Sequence, residues 1–254
     1  MKIYGLQWDI RWEDKPGNFE IVRRLTRQAA PERGSLVVLP EMFATGFSMN
    51  AVAIAEDCDG PTEQFLSGLA SSLQCSVLAG AAIRDTDGRP RNKCLVFGPD
   101  GKLAASYTKI RPFNPGGESA HYTAGDKVCL FDWGGVSTAP FICYDLRFPE
   151  LFREAARVGR PRLLAVIASW PAKRLHHWPR LLQARAIENQ SYVIGVNRIG
   201  SDPSFEYAGR SIIVDPQGEI IADAGSLECV ISASLDIESL DQYRKGLPFL
   251  DDME

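Results

Sequence analysis

Residues 141–152 read FICYDLRFPELF. An apolar, strand-like run ends at Cys143, and Pro149 opens a helical pattern. Proline suits the first helical position, where its fixed φ fits and its missing N–H would have had no partner. Leu151, Phe152, Ala155, Ala156 and Val158 make the apolar stripe of that helix, and Gly159 with Pro161 stops it. The stretch reads as strand, elbow and helix, with a thiol at the elbow. A thiol there has two readings. Free cysteine is a small hydrophobe that packs in cores. A nucleophile on such an elbow instead projects from a rigid base, beside N–H groups that stabilise a thiolate or a developing oxyanion.

Around this elbow the chain alternates strand-like and helix-like segments. MKIYGLQWDI at the N-terminus, LVVLP at 36–40, VLAGAAI at 77–83, LLAVIASW at 163–170 and YVIGVN at 192–197 read as strands, the last four as buried ones. Phe19, Val22, Leu25 and Ala29 form a helical stripe, as do Phe65, Leu66, Leu69, Ala70 and Leu73, with Pro61 and Glu63 in the first turn of the second. HHWPRLLQARAIENQ is a further helix. Pro-Asp-Gly within NKCLVFGPDGKLAASYTKI, Gly-Gly in FDWGGVST, and the turn in SIIVDPQGEIIADAG predict hairpins. The pattern gives roughly eleven or twelve strands and four or five helices, a layered α/β fold with mixed sheets. Strand count alone leaves open one large sheet or two stacked ones. With no linker, repeat or low-complexity segment, residues 1–254 read as a single domain.

Bulk properties narrow the function classes. A net charge of −4 provides no electrostatic footprint for nucleic acid. No apolar run reaches the ~20 residues of a membrane span. The N-terminus lacks a signal-peptide core, so the expected location is cytoplasmic. None of the six cysteines has CxxC spacing, which argues against a zinc ribbon or a thioredoxin-like motif. An unexported chain would keep these thiols reduced.

A cysteine nucleophile needs a proton acceptor. The histidines are His121, His176 and His177, and no motif ties any of them to Cys143. Two other segments compete better. LVVLPEMFATGF puts Glu41 directly after a buried strand, and YTKIRPFNPGGES puts Lys109 at the end of a hairpin strand. A single charge at a strand end usually faces solvent. Three strand ends bearing Glu, Lys and Cys suggest one rim of a sheet, where α/β folds assemble sites.

LPEMFATGF, YTKIRPF and CYDLRFPEL resemble the three signature blocks of the nitrilase, or carbon–nitrogen hydrolase, superfamily, in the same order. The similarity spans nearly the whole chain, through SWP at 169–171, HWPRLLQARAIENQ at 177–190 and NRIG at 197–200, and is greatest toward small bacterial omega-amidases. It implies a four-layer α-β-β-α sandwich with two mixed β-sheets. It also implies a Glu–Lys–Cys triad, with Glu41 as general base, Lys109 as cationic stabiliser and Cys143 as nucleophile. Glu118 in GGESAHY matches a supporting family glutamate. The backbone N–H of Tyr144, with Lys109, would hold the oxyanion. The expected reaction is hydrolysis of the terminal amide of 2-oxoglutaramate or 2-oxosuccinamate through a thioester, with no metal or cofactor. Another aliphatic amidase, an N-carbamoyl hydrolase or a non-catalytic scaffold are the alternatives. Family members commonly form homodimers. The apolar tail PFLDDME, too short to form an element of its own, would pack on its own body or on a partner.

Further expectations concern the substrate site. Phe43, Phe47, Phe113, Trp170 and Trp178 are candidate pocket walls, with core packing as the other reading of each. Asp145 and Arg147 read as part of a structural ion-pair network. A 2-oxo acid amide carries a carboxylate remote from the scissile bond, and that charge needs a partner once water is excluded. Arg174, in the segment after LLAVIASW, is the candidate, because guanidinium binds carboxylate bidentately and stacks on rings. The alternative is an exposed loop cation.

Overall fold

The computed structural model describes residues 1–253. The first half of the chain runs β1 (Lys2–Gln7), α1 (Lys15–Ala29), β2 (Leu36–Val38), α2 (Ala51–Ile54), α3 (Pro61–Leu73), β3 (Ser76–Arg84), β4 (Pro90–Phe97) and β5 (Leu103–Thr108). It continues through β6 (Phe131–Trp133), β7 (Val136–Ile142), α4 (Pro149–Gly159), β8 (Leu163–Ala168), α5 (His177–Asn189) and β9 (Tyr192–Asn197). The last part holds β10 (Ile199–Ser201), β11 (Glu206–Ala208), β12 (Ile212–Val214), β13 (Ile220–Asp223), β14 (Cys229–Ser234) and α6 (Ile237–Gly246).

The strands form two six-stranded mixed sheets, ordered β14-β1-β2-β3-β4-β5 and β13-β12-β9-β8-β7-β6, plus the β10–β11 hairpin. The period of two along each strand assigns its faces. In the first sheet Ile3, Leu36, Val38, Leu78, Cys94 and Val96 share a core with Ile194 and Val196 of the second. The alternate residues Leu6, Val37, Leu39, Val77 and Leu95 pack instead on Val22 and Leu25 of α1 and Leu66, Leu69 and Ala70 of α3. On the far side, Phe152 of α4 stacks on Phe141 at 3.9 Å, and Trp178, Leu182 and Ala186 of α5 are fully buried. The result is the four-layer α-β-β-α sandwich.

Several expectations needed correction. There are more strands than expected partly because β10 and β11 are only three residues long, too short to show a period. Helix α6 went unread because its inward face is thin, with Leu240 its buried residue; Asp236 caps it by accepting the Ser239 N–H. Gly159 is the last helical residue of α4, and the left-handed cap is Arg160 (φ +42°). A Cβ at 159 would lie 2.4 Å from Leu130 Cδ2, so a larger residue there would have to displace that side chain. The tail does form an element, a 3-10 turn over Phe249–Asp252. Leu250 is buried, and Arg160 pairs with Asp251 at 2.6 Å, which seats the turn on its own body beside α4.

Candidate active site

The carboxyl ends of β2, β5, β7 and β8 lie on one rim, because β1–β2–β3 and β7–β8–β9 are parallel and β5 returns parallel to β3 through the antiparallel β4. Cys143 follows β7 directly. Its φ is +47°, in the left-handed region that a side-chain-bearing residue rarely occupies. The chain then makes a 3-10 turn, Cys143–Arg147, before α4 begins at Pro149. The Tyr144 N–H belongs to the first turn, where donors lack intrahelical acceptors.

Asp145 holds this elbow in place. Its carboxylate accepts from the Ile142 N–H (3.0 Å), the Arg111 N–H (2.9 Å) and the Tyr107 hydroxyl (2.7 Å). One buried side chain thereby ties the Cys143 segment to the strand that carries Lys109. Burial pushes the Asp145 carboxyl up to about 6, against the effect of these donors. Asp145 and Arg147 do not form the expected ion pair: Asp145 binds backbone and phenol, while Arg147 lies over the Trp170 ring.

Glu41 reaches the same rim from the loop after β2. That loop crosses β3 at Gly80, where a Cβ would lie 2.6 Å from Glu41 Cα, so glycine is what permits the approach. Lys109 extends β5. Its Nζ donates to Glu41 Oε1 and to Glu118 Oε2, each at 2.8 Å. A lysine ammonium has three N–H groups, which leaves one beyond these two bonds. Glu118 also accepts from the Phe113 N–H at 2.6 Å. All three charged side chains are almost wholly buried.

Two residues in this network were not anticipated. Asn92 Nδ2 donates to Glu41 Oε1 (2.8 Å) and to Glu118 Oε1 (2.9 Å), so one neutral amide bridges both carboxylates. Its signal was available: it lies two residues before Cys94, on the inward face of β4, where the pattern calls for an apolar side chain. Ser169 acts through its backbone. Its N–H donates to Glu41 Oε2 (2.8 Å), and its carbonyl accepts from Cys143 Sγ (3.8 Å). Nothing about residue type signals a backbone role.

With both glutamates ionised, the network carries one net negative charge. The Cys143 thiol is pushed well above its ordinary value, first by burial and then by Glu41, while Lys109 opposes the rise. Burial works against the Lys109 ammonium, but the charges of Glu118 and Glu41 outweigh it and hold the group protonated. The resting site is therefore a thiol beside carboxylates and a fixed cation.

The description "carbon-nitrogen hydrolase" belongs to the family model that matches residues 3–245. The chain belongs to the carbon–nitrogen hydrolase family. It is 38% identical to the omega-amidase YafV of Escherichia coli, over all of this chain and 97% of that protein. It is 32% identical to a 2-oxoglutaramate amidase of Bacillus subtilis, covering 99% and 96% of the two. Among solved structures, XC1258 of Xanthomonas campestris, a CN-hydrolase superfamily protein with an arsenic adduct in its active site, superposes with a TM-score of 0.94. The identity is 34%, covering all of this chain and 97% of that one.

In this hydrolase Cys143 lines a narrow, partly open cleft. Four of the candidate lining residues, Phe47, Phe113, Trp170 and Arg174, stand in its wall, together with Tyr144 and Arg147. Phe205, from the β10–β11 hairpin, closes one side and was not anticipated. Phe43 and Trp178 are absent from its walls. Met42 adopts φ +45° and turns the chain, so Phe43 packs under α1 and α3 against Phe19 and Phe65. Trp178 faces the second sheet from α5, and its Nε1 donates to the Arg210 carbonyl at 2.8 Å. Among the described residues, no group of three His, Cys, Asp or Glu is arranged to hold a metal, and no helix is long and apolar enough to cross a membrane.

Proposed function

We propose that the protein hydrolyses the terminal amide of small 2-oxo dicarboxylate monoamides, 2-oxoglutaramate and 2-oxosuccinamate, to the 2-oxo diacid and ammonia. One observation carries the reading. A buried Glu41–Lys109–Glu118 network meets Cys143 in a cleft that also holds Arg174, whose Nη2 is buried without an acceptor. The first half supplies amide chemistry, and the second leaves a guanidinium waiting for an anion. The omega-amidase and 2-oxoglutaramate amidase named above support the same substrate class.

Glu41 takes the Cys143 proton as sulfur attacks the amide carbon. The oxyanion is held by the remaining N–H of Lys109 and the backbone N–H of Tyr144. Glu41 then protonates the departing nitrogen, which leaves as ammonia, and a thioester remains. Water gives its proton to Glu41 as it attacks the thioester, and that proton returns to the Cys143 sulfur when it leaves. Glu118 and Asn92 keep Lys109 and Glu41 in register throughout. Lys109 is needed because a carboxylate and a thiolate at ~4 Å repel by about 4 kcal/mol at an effective dielectric of 20.

A cytoplasmic homodimer is part of the same proposal, and light scattering at micromolar concentration tests the dimer. Ammonia release from a panel of 2-oxo acid amides, N-carbamoyl amino acids, nitriles and neutral short amides tests the activity. The 2-oxo dicarboxylate monoamides should have the highest kcat/KM. A carbamoyl amino acid ahead of them would replace this reading with an N-carbamoyl hydrolase.

A further inference from the structure

The floor and the mouth of the cleft carry opposite charge. On the floor, Lys109 faces two carboxylates, leaving one net negative charge beside Cys143. At the mouth, Arg147 and Arg174 both line the cleft, and among the described residues neither is paired with a carboxylate. Each is held by an aromatic face instead. The Arg147 guanidinium lies 4.6 Å from the Trp170 centroid, and that of Arg174 lies 5.2 Å from Phe113. Stacking fixes the plane of a guanidinium and leaves its N–H edge free. Trp170 links the two sites, since its Nε1 donates to the Arg174 carbonyl at 2.8 Å.

Arg147 is oriented by a second contact. Its Nη2 lies 3.2 Å from His177 Nδ1. Guanidinium only donates, so Nδ1 accepts and the imidazole proton sits on Nε2. Two cations facing one cleft disfavour each other. Arg147 is held below its ordinary value, first by burial and then by Arg174. Unpaired, partly desolvated cations are costly to a fold unless an anion joins them.

We propose that Arg147 is the second arm of a two-guanidinium subsite that, with Arg174, grips the 2-oxo carboxylate end of the substrate. This rests on the proposed function above. A 2-oxo acid end presents two carboxylate oxygens and a neighbouring ketone oxygen, more acceptors than one bidentate fork satisfies. The charge pattern also orients the substrate. A monoamide has one anionic and one neutral end, and only the neutral end is tolerated beside the negative floor. Hydrolysis turns that end into a carboxylate, which the floor repels, so the diacid is released rather than retained.

The test is the ratio of kcat/KM on a 2-oxo dicarboxylate monoamide to that on a neutral short amide. Arg147→Gln should lower this ratio ~10- to 100-fold, mainly through KM for the acid, as expected for losing a charge-assisted contact. Arg147→Lys keeps the charge without the fork and should lower it by a smaller factor, ~3- to 10-fold. Combining Arg147→Gln with Arg174→Ala should cost less than the product of the single effects, because both arms hold one anion. A folded Arg147 variant of either kind at the wild-type ratio would overturn the inference. A wild type that showed no preference for the acid amide would instead overturn the proposed function, and the inference with it.

Discussion

Asn92 is the most exposing place to perturb this site, because it is neutral, buried and away from the cleft walls. Its Nδ2 lies 2.8 Å from Glu41 Oε1 and 2.9 Å from Glu118 Oε1. Asn92→Asp keeps the shape and replaces that donor with a carboxylate oxygen. At ~2.9 Å and an effective dielectric of 20, each new like-charge contact repels by about 6 kcal/mol. Lys109 offsets part of this. The remainder forces proton uptake, which would take away the base role proposed for Glu41 over much of the working range. Turnover should fall by more than ~10³-fold, since each 1.4 kcal/mol is a factor of ten. The acid limb of the pH–rate profile should also move to higher pH. Asn92→Ala deletes the donor without adding charge and should cost about 3 kcal/mol, or ~100-fold in kcat, with KM little changed. Initial rates of ammonia release, with circular dichroism to confirm folding, provide the assay. An Asn92→Asp enzyme within tenfold of wild type would refute the role assigned to the bridge.

Cys143→Ala should abolish turnover, and Glu41→Gln and Lys109→Met should each cost at least ~10²-fold in kcat while the protein stays folded, checked by the same ammonia assay. Arg174→Ala should lower kcat/KM on the 2-oxo acid amides by ~10- to 100-fold and act much less on a neutral amide, and equal losses on both would point to a structural role. Asp145, at about 6 against an ordinary 3.8, gives a signed pH effect. Its native form binds the proton more tightly than the unfolded chain does. The stabilisation is therefore full below about pH 4 and lost as pH rises through about 6. The gap corresponds to ~3 kcal/mol, so denaturant titrations should show the wild-type advantage over Asp145→Asn shrinking by about that much between pH 4 and pH 7. Truncation after Pro248 should cost about 2 kcal/mol, chiefly from losing buried Leu250, and thermal unfolding would report it.

What the sequence disclosed follows from where local chemistry sets local structure. Pro149 and the apolar stripe behind it marked the elbow, and the Pro-Asp-Gly turn set the β4–β5 register that places Lys109 beside Asn92. The carboxylates and the thiol stood out because charge and sulfur at strand ends are unusual together. Phe43 misled because a left-handed residue at Met42 reverses the chain, and an apolar ring gives no sign of which side it will take. Trp178 was misplaced although its spacing with Leu182 and Ala186 marks a sheet-facing stripe. Ser169 was silent because its role is carried by peptide groups that every residue has. Phe205 was silent because it sits on a three-residue-strand hairpin too short to show a pattern. The pairing expected of Asp145 with Arg147 failed because a buried carboxylate surrounded by backbone N–H groups and a phenol has no need of a cation.

Covalent catalysis by Cys143 is tested most directly by rapid-quench peptide mass spectrometry during turnover of 2-oxoglutaramate. The peptide bearing Cys143 should gain the mass of the substrate less ammonia. That adduct should appear with the ammonia burst and decay as the diacid forms. Ammonia release with no adduct on Cys143, or undiminished turnover after Cys143 has been alkylated, would contradict it.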